Sequence, residues 1–315
     1  MKKILLGSIA GLFLIWAALF LVYLPSQLVK AQNIPFTATP EAAGLDFDNV
    51  SIPVAGETLS LSAWWMPAES PRAVILFVHG ANANKEDFYF GAIDYYAEMV
   101  ERGYDVLAID LRNHGGSGRT ESGELRYGRE EYKDVVAALG MVETLAPGLP
   151  IIGSGVSMGA ATLIEAAARD DRFSALVLVD PLLDPPSATL AGMEAITGLP
   201  ASLLKPTVWS TKTFFGLGSE GSGALETAKS LTLPVLLIQD PSDPVTQARF
   251  SAEASAANDN IVYHLVPDAS ASHPVIAEAG GWGSHGAAYR VHKAEVLNEI
   301  DRFLGGALTV PPSES

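Results

Sequence analysis

The chain has 315 residues, of which 48% are hydrophobic and 18% charged, which excludes a disordered protein and suits a globular one. None is cysteine, which excludes a disulfide scaffold, a cysteine nucleophile and thiolate metal sites. Acidic residues outnumber basic ones by 36 to 20, and the resulting net charge of −16 argues against binding to nucleic acid through its phosphates.

The chain opens with an apolar segment. Ile4–Leu24 carries no charge and follows Lys2 and Lys3. At ~1.5 Å per residue, a helix of this length covers the ~30 Å hydrocarbon core of a bilayer. Because Val29-Lys30-Ala31 is a poor cleavage site, we favour an uncleaved signal anchor over residues 1–30, with a cleaved signal and secretion as the alternative. The two lysines predict a cytoplasmic N-terminus and export of the rest.

After a Pro-containing linker at residues 31–44, short apolar runs alternate with amphipathic stretches. The runs are rich in β-branched residues and are bounded by Gly, Pro or Asp, which predicts buried strands. They are Ala73–Val78, Tyr104–Ile109, Leu149–Gly153, Ser174–Val179, Leu233–Gln239 and Ile261–Val266. Helices are predicted near Ala92–Arg102, Arg129–Leu145, Met158–Arg169, Gln247–Ala257 and Ala287–Leu304. An antiparallel pair at the sheet edge is predicted for Asn49–Pro53 and Thr58–Trp64.

This alternation is typical of βαβ units and predicts one α/β domain over residues 45–305, with a mostly parallel sheet covered by helices on both faces. Residues 181–232 lack a strand pattern, so they are predicted as a helical cap insertion over the sheet. The cap's large apolar residues are expected mainly to pack it against the domain, with an acyl-binding surface as the alternative. They are Met193, Ile196, Leu199, Leu203, Trp209, Phe214 and Phe215. Residues 306–315 are predicted to form a flexible tail.

The third of these strands leads into Gly155-Val156-Ser157-Met158-Gly159 and then into an Ala-rich helix. A G-x-S-x-G sequence between a strand and a helix is typical of a sharp turn that exposes a serine nucleophile, with small residues where the chains crowd. Ser157 is therefore the candidate nucleophile. The Met158 amide, at a helix N-terminus, is the candidate donor to a developing oxyanion.

A dinucleotide-binding fingerprint is a rival interpretation of the same stretch. Gly153 and Gly155 open a helix after a strand, and Asp180 ends the next strand. However, Met158 occupies the third glycine position, and two βα units precede this one. We therefore expect neither a bound cofactor nor a metal.

A serine nucleophile needs a base that a carboxylate orients. Asp243 lies in the loop after strand Leu233–Gln239, on the same rim as Ser157, and is the favoured acid. The competing acids are Asp240, Asp180 and Asp184.

The base should follow the last strand and precede the last helix, which leaves His285 and His273. His285 is favoured, because Gly283 and Gly286 leave it free to approach a crowded rim. The other histidines are expected to be structural or exposed; they are His79, His114, His264 and His292.

Together these residues resemble the serine-hydrolase branch of the α/β-hydrolase superfamily, which includes esterases, acylglycerol lipases and serine-aminopeptidase-like proteins. The resemblance covers roughly residues 45–305, and the order Ser157, Asp243, His285 is the family's order. Besides the sharp turn at Gly155–Gly159, which we call the elbow, the resemblance is carried by Val78–Ala81, Asp110–Gly118, Asp243–Val245 and Ser284–Tyr289. It implies an α/β-hydrolase fold, a Ser-His-Asp triad, and a second oxyanion donor at the amide of Ala81 or Asn82.

The resemblance implies a serine hydrolase that cleaves a carboxylic ester or related acyl bond of a small molecule through an acyl-enzyme, and the N-terminal segment predicts that it is membrane-anchored. One alternative is a peptidase or acyltransferase that uses the same triad. The other is a non-catalytic binding protein that keeps the fold. Neither the acyl chain and leaving group nor the oligomeric state is specified by the sequence.

Overall fold

An eight-stranded sheet forms the centre of the fold within residues 2–218, 223–269 and 271–308, which the computed structural model describes. The strands are β1 (Asp48–Pro53), β2 (Ser60–Met66), β3 (Ala73–Val78), β4 (Tyr104–Ile109), β5 (Ile151–Val156), β6 (Phe173–Val179), β7 (Val235–Gln239) and β8 (Ile261–Leu265). Their spatial order is β1-β2-β4-β3-β5-β6-β7-β8. β2 pairs antiparallel with β1 and β4, and all other pairs are parallel.

Helices precede, separate and follow the strands. The first five are α1 (Lys2–Ala18), α2 (Leu24–Leu28), α3 (Ala92–Glu101), α4 (Tyr132–Leu145) and α5 (Met158–Ala167). Residues 181–232, the predicted cap, contain α6 (Pro185–Thr197), α7 (Ala201–Phe214) and α8 (Ala224–Ala228). The last four are α9 (Ala248–Ala257), α10 (Pro274–Ala279), α11 (Ala288–Val291) and α12 (Lys293–Ala307). The tail was predicted to begin at residue 306, but residues 306 and 307 belong to α12; residues 309–315 lie outside the described residues.

The predicted α/β fold class is confirmed, including the antiparallel pair at the sheet edge. β3 and β4 match their predicted bounds because every residue in them is buried, as in strands covered on both faces. β5 extends three residues past its predicted end at Gly153. Gly153 and Gly155 both belong to the strand. Glycine is needed at position 153 because a Cβ there would lie 2.7 Å from the Leu176 side chain and 2.9 Å from that of Leu163.

Helices cover both faces of the sheet. On one face, residues of α4 and α5 such as Val135, Leu139 and Leu163 join a large buried cluster. On the other face, Tyr95 of α3 and Ile300 of α12 join a second cluster. Burial of apolar surface at ~25 cal/mol per Å² makes these two layers the main source of stability.

One predicted helix is divided in the structure. The pattern over Ala287–Leu304 predicts a single helix, but α11 and α12 are separated at His292, whose φ is −122° and ψ 39°. The two pieces pack against different parts of the same buried cluster, which favours a change of direction between them. Tyr289 of α11 stacks on Phe90, whereas α12 packs its apolar face on the sheet.

The N-terminal helix is apolar and mostly exposed. Ser8–Leu28 has a mean hydropathy of 2.1 and is long enough to cross a membrane, by length and composition. A π-helical turn at Leu19–Tyr23 joins α1 to α2.

The parallel order determines where functional residues meet. The carboxyl ends of β3, β5, β6 and β7 lie side by side at one edge of the sheet. The loops that follow these four strands carry the predicted nucleophile, its candidate acids and the second candidate oxyanion donor. Ligands of open α/β sheets bind at this edge.

Candidate active site

Ser157 lies at a strained turn between β5 and α5. Its φ of 52° and ψ of −117° are unfavourable for a non-glycine residue, at a typical cost of ~1–3 kcal/mol. Three backbone hydrogen bonds hold the turn. The Ser157 N–H donates to the Val179 carbonyl at 3.0 Å, and its own carbonyl accepts from Leu182 at 3.0 Å and Ala161 at 3.2 Å. The nucleophile candidate is therefore held in place by β6 and by the loop that follows it.

The glycines of the elbow are required by the neighbouring backbone. A Cβ at Gly159 would lie 2.5 Å from the carbonyl oxygen of His79, and closer still to that of Val78. A Cβ at Gly155 would lie 3.0 Å from the same Val78 oxygen. β3 and the elbow thus approach so closely that only glycine fits between them.

We expect Gly159→Ala to lower the free energy of unfolding by roughly 3 kcal/mol or more, because backbone must move to admit the methyl group. The matched control is Gly305→Ala in α12, where a Cβ meets nothing within 4 Å. That substitution should stabilise the helix by roughly 0.5–1 kcal/mol. Thermal unfolding in detergent, followed by circular dichroism, measures both. Equal melting of Gly159→Ala and the unmodified chain would contradict the crowding described here.

Three predicted residues meet at the carboxyl edge of the sheet. The Ser157 hydroxyl lies 3.0 Å from Nε2 of His285, and Nδ1 of the same ring lies 2.8 Å from Oδ2 of Asp243. All three residues are buried, with exposures of 7 to 9%. Both distances are those of hydrogen bonds, so the hydroxyl, the imidazole and the carboxylate form a continuous chain.

The Asp243 carboxylate is fixed by its own loop. Its Oδ1 accepts from the backbone N–H of Val245 at 2.7 Å and of Thr246 at 2.9 Å. The Thr246 hydroxyl donates to Oδ2, beside His285. Bonds from amides and a hydroxyl favour a charged carboxylate, which in turn favours an imidazole with its proton on Nδ1.

Carboxylates on three loops surround the imidazole of His285. Burial by itself lowers the pKa of His285, but the negative charge and hydrogen bond of Asp243 outweigh this effect. Asp180 and Asp87 act in the same direction through their charges. The pKa of His285 therefore lies above its ordinary value of 6.5, so the protonated ring is stabilised.

The competing acids form hydrogen bonds with other groups. Asp180 accepts from the amides of Asp240 and Gly286 at 2.9 and 3.0 Å, and burial raises its pKa well above the ordinary value. Asp240 accepts from the Ser242 amide at 2.7 Å, and Asp184 caps α6. Asp180 thus links the ends of β6 and β7 to the backbone beside His285, and Asp243 is the carboxylate that bonds the ring.

His273, the competing histidine, and the histidines expected to be structural or exposed lie elsewhere. His273 caps α10, where its Nδ1 accepts from the Val275 amide at 3.3 Å. His264 bonds Glu295 at 3.0 Å near the sheet edge. His292 occupies the break between α11 and α12. Of the six histidines, His285 is the one hydrogen-bonded to Ser157.

The two candidate oxyanion donors flank Ser157. Met158 opens α5 directly after Ser157, and Gly80 leads to Ala81 at the end of β3. A Cβ at Gly80 would lie 3.5 Å from that of Ser157, so this backbone runs beside the hydroxyl. The Asn82 N–H is engaged, donating to Nε2 of His114 at 3.2 Å. Ala81 is therefore favoured over Asn82 as the second donor.

Two neutral histidines brace this loop. Nε2 of His79 accepts from the Leu111 amide at 3.0 Å, so its Nδ1–H donates to the Gly80 carbonyl at 2.7 Å. Burial lowers the pKa of His79 to about 4 and that of His114 to about 3. Both rings are uncharged at neutral pH, and both act as spacers between the loop at 79–82 and the loop at 110–118.

The loop at 110–118 is itself fastened by buried charges. Arg112 pairs with Asp134 of α4 at 2.7 Å, and Lys85 pairs with Asp110 at 2.6 Å. Asp110 also accepts from the Gly116 amide at 2.8 Å. Both pairs are buried and hydrogen-bonded, so removal of one partner would leave an unpaired charge inside the protein.

Several residues near Ser157, His285 and Asp243 were not predicted. Thr246 holds the acid, Asp87 accepts from the Gly80 amide at 3.3 Å, and the Tyr89 hydroxyl donates to the Gly283 carbonyl at 2.5 Å. The Trp282 ring stacks on His285 with centroids 6.0 Å apart. A sequence signal existed for Thr246 alone, since a hydroxyl three residues after a loop aspartate often bonds it.

Comparisons with known proteins agree with this architecture. A sequence model of the alpha/beta hydrolase family matches residues 75–282. The monoglyceride lipases of Rattus norvegicus and Homo sapiens are 28% and 30% identical to the chain over 163 and 164 residues. These stretches are 50% of this chain and 48% of each relative, so the chain matches about half the length of these relatives.

Solved structures share the fold. An esterase from Pyrococcus furiosus is 22% identical, with a TM-score of 0.71, over 88% of this chain and 97% of that chain. Because the family match covers most of the chain and includes the elbow, the protein belongs to the alpha/beta hydrolase family.

Proposed function

We propose that the protein is a membrane-anchored serine hydrolase that cleaves a carboxylic ester through an acyl-enzyme. The observation that carries this proposal is the hydrogen-bonded chain from the Ser157 hydroxyl through His285 to Asp243. A serine hydroxyl is a weak nucleophile, and a base that a carboxylate holds in the right tautomer is the usual way to activate it.

In the first half of the reaction, Ser157 Oγ attacks the carbonyl carbon of the ester while its proton passes to Nε2 of His285. The resulting imidazolium is stabilised by Asp243, consistent with the raised pKa of the ring. His285 then gives the proton to the leaving alcohol oxygen as the tetrahedral intermediate collapses. The acyl group stays bound to Ser157 as an ester.

In the second half, water attacks the acyl-enzyme, and His285 takes and returns a proton in the same way. The backbone N–H groups of Met158 and Ala81 would stabilise the oxyanion in both halves. Loss of one such donor typically costs ~10²–10³ in turnover. Both donors are backbone groups, so they are in place before substrate binds.

Two observations support a lipid-like ester as the substrate class. The relatives named above are monoglyceride lipases and an esterase. The apolar N-terminal helix would hold the domain beside a membrane, where such esters collect. The lysines at positions 2 and 3 favour a cytoplasmic N-terminus and an exported domain, with a cleaved signal as the alternative.

Turnover of defined esters tests the proposal. The purified full-length chain in detergent should hydrolyse short-chain p-nitrophenyl esters and monoacylglycerol, releasing fatty acid and alcohol. Aminoacyl amides serve as the comparison for a peptidase, and added alcohols as acceptors for an acyltransferase. Hydrolysis of amides but not esters, or no turnover of any substrate, would overturn the proposal.

The pH dependence follows from the charge on His285. The ring must be neutral to accept the serine proton, so activity should rise with pH as the ring loses its proton. Because the pKa of His285 is raised, the midpoint of kcat/KM should lie above 6.5. Stopped-flow or plate assays with a neutral ester across ~pH 5 to 9 measure it. A flat profile, or a midpoint well below 6.5, would contradict the role of this ring.

A further inference from the structure

The cap exposes large apolar residues that were expected to pack against the domain. That prediction is wrong for Ile196, Leu199, Leu203, Trp209 and Phe214, which are 39 to 68% exposed. Trp209 and Phe214 lie together on α7, with ring centroids 5.7 Å apart. Three of the five, Leu203, Trp209 and Phe214, lie on α7, and exposed apolar residues clustered on one element indicate a contact surface rather than part of the core.

α7 also packs on the N-terminal helix. Pro25 has no N–H to give the carbonyl of Leu21, four residues earlier. The Ser210 hydroxyl of α7 donates to that carbonyl at 2.5 Å. Hydroxyls of neighbouring helices commonly satisfy carbonyls freed by proline inside a membrane, where water is absent. The contact between α7 and the helix is therefore of a kind that lipid favours.

The last residue of the helix and the segment after it are also attached to the domain. The Leu125 amide donates to the Val29 carbonyl at 2.6 Å, and the Tyr127 hydroxyl donates to the Leu28 carbonyl at 2.8 Å. Further on, Thr37 donates to Glu86 through both its amide and its hydroxyl. The chain between the helix and the domain is thus held by hydrogen bonds and is not a free linker. This fixes the position of α7 relative to the membrane.

The position of Leu21 gives the depth of α7. Leu21 lies three residues before the end of the apolar segment at Leu24 and seven before the end of the helix at Leu28, which corresponds to about 5 to 10 Å along a helix axis. Helices that lie in the membrane interface bury their apolar face ~5–10 Å below the headgroups. α7 therefore contacts the N-terminal helix at a depth that an interfacial helix occupies.

The composition of α7 also suits an interface. It contains Lys205 and Lys212 and no acidic residue, in a chain with a net charge of −16. Lysine side chains reach from the interface to the headgroups, and tryptophan is enriched at this level of membrane proteins. The exposed Trp209 and Phe214 would lie among the acyl chains while the lysines contact phosphates.

We propose that α7 is an interfacial membrane helix, and that the partner of its exposed apolar face is the bilayer crossed by the N-terminal helix. The cap and the N-terminal helix then form one membrane-contacting surface. This proposal rests on the membrane anchoring in the proposed function, but not on the chemistry of Ser157.

The cap connects this surface to the triad. A Cβ at Gly281 would lie 2.8 Å from Cα of Ile196, so the loop that carries Trp282 packs against the end of α6. Trp282 is 48% exposed and stacks on His285. The catalytic ring thus lies one aromatic residue from the apolar surface, which is suited to a substrate that enters from the lipid phase.

Site-specific labels on the full-length chain test the proposal, and the absence of cysteine makes single-cysteine variants straightforward. Trp209→Cys and, independently, Phe214→Cys are labelled with the polarity-sensitive dye NBD and reconstituted in phosphatidylcholine vesicles. Nitroxide groups on the lipid acyl chains serve as quenchers. Leu14→Cys in the N-terminal helix is the positive control. Leu145→Cys is the exposed apolar negative control, because it ends α4 before β5 begins, at the opposite end of the sheet.

We expect labels at positions 209 and 214 to be blue-shifted and quenched several-fold more than the label at position 145. Quenching equal to that at position 145, with position 14 quenched, would overturn the interfacial helix. An unquenched position 14 would overturn it as well, because no span would be present. The readout requires no turnover, so it is unaffected if ester hydrolysis fails, and a failure of either proposal is visible separately.

Discussion

Ser157→Ala should lower kcat for p-nitrophenyl esters by at least ~10⁴-fold, since loss of a triad member leaves only binding and the oxyanion hole to act. The substitution removes the hydroxyl that lies 3.0 Å from Nε2 of His285. KM should change little, because the side chain forms a bond to substrate only as the reaction proceeds. Initial rates of the full-length chain in detergent, with an active-site titration to exclude trace contamination, measure the effect.

The matched control is Ser230→Ala. Ser230 is an exposed serine between α8 and β7, and its hydroxyl bonds the Thr227 carbonyl at 2.9 Å. It lies before β7 begins, at the opposite end of that strand from Asp243. Its rate should stay within about twofold of the unmodified chain, since surface substitutions rarely matter. If Ser157→Ala kept comparable activity, the proposed nucleophile would be wrong.

Asp243→Asn should lower kcat by ~10⁴-fold while leaving the fold intact, as expected when a triad histidine is held in the wrong tautomer. The amide carbonyl can still accept from Val245 and Thr246, so the loop keeps its shape. The amide NH₂ then faces Nδ1 of His285, which must accept, and the ring proton moves to Nε2. That atom can no longer take the proton of the nucleophile.

Asp240→Asn provides a sharp comparison, because Asp240 lies in the same loop and was a competing acid. Its Oδ1 accepts from the Ser242 amide, which an asparagine carbonyl also does, and no bond to His285 is involved. A loss of less than about tenfold is expected, in keeping with a substitution outside the triad. A larger loss for Asp240→Asn than for Asp243→Asn would mean that the acid has been assigned to the wrong carboxylate.

The central sheet could be predicted because its strands are buried on both faces. Continuous apolar runs such as those of β3 and β4 have no amphipathic period, and their length and β-branched content separate them from helices. The strand order could not be read in the same way. β3 lies between β4 and β5, and that placement depends on how the whole domain packs rather than on any local pattern.

The site was predictable to the extent that its chemistry follows chain order and spacing. The sharp turn at Ser157 requires glycine at Gly155 and Gly159, and this requirement is visible in the sequence. The supporting contacts were not predictable. Tyr89 reaches Gly283 across 194 positions of the chain, and only the folded loops bring such groups together.

The apolar residues of the cap could not be placed correctly from the sequence. Its apolar residues indicate a core when the sequence is treated as a soluble protein, yet Trp209 and Phe214 are exposed. The contact of Ser210 with the Leu21 carbonyl links the cap to the N-terminal helix, and no local pattern predicts it. Hydrophobicity alone does not separate burial in protein from burial in lipid, because both remove the same surface from water.

Covalent labelling by a fluorophosphonate tests the activated serine most directly. The reagent bonds only to a hydroxyl made nucleophilic by its surroundings, and the site of the adduct is found by mass spectrometry of the digested full-length chain. We predict a single adduct on Ser157, lost in His285→Ala although that variant keeps the serine. An adduct on another residue, or undiminished labelling of Ser157 without His285, would contradict activation of this hydroxyl by the imidazole.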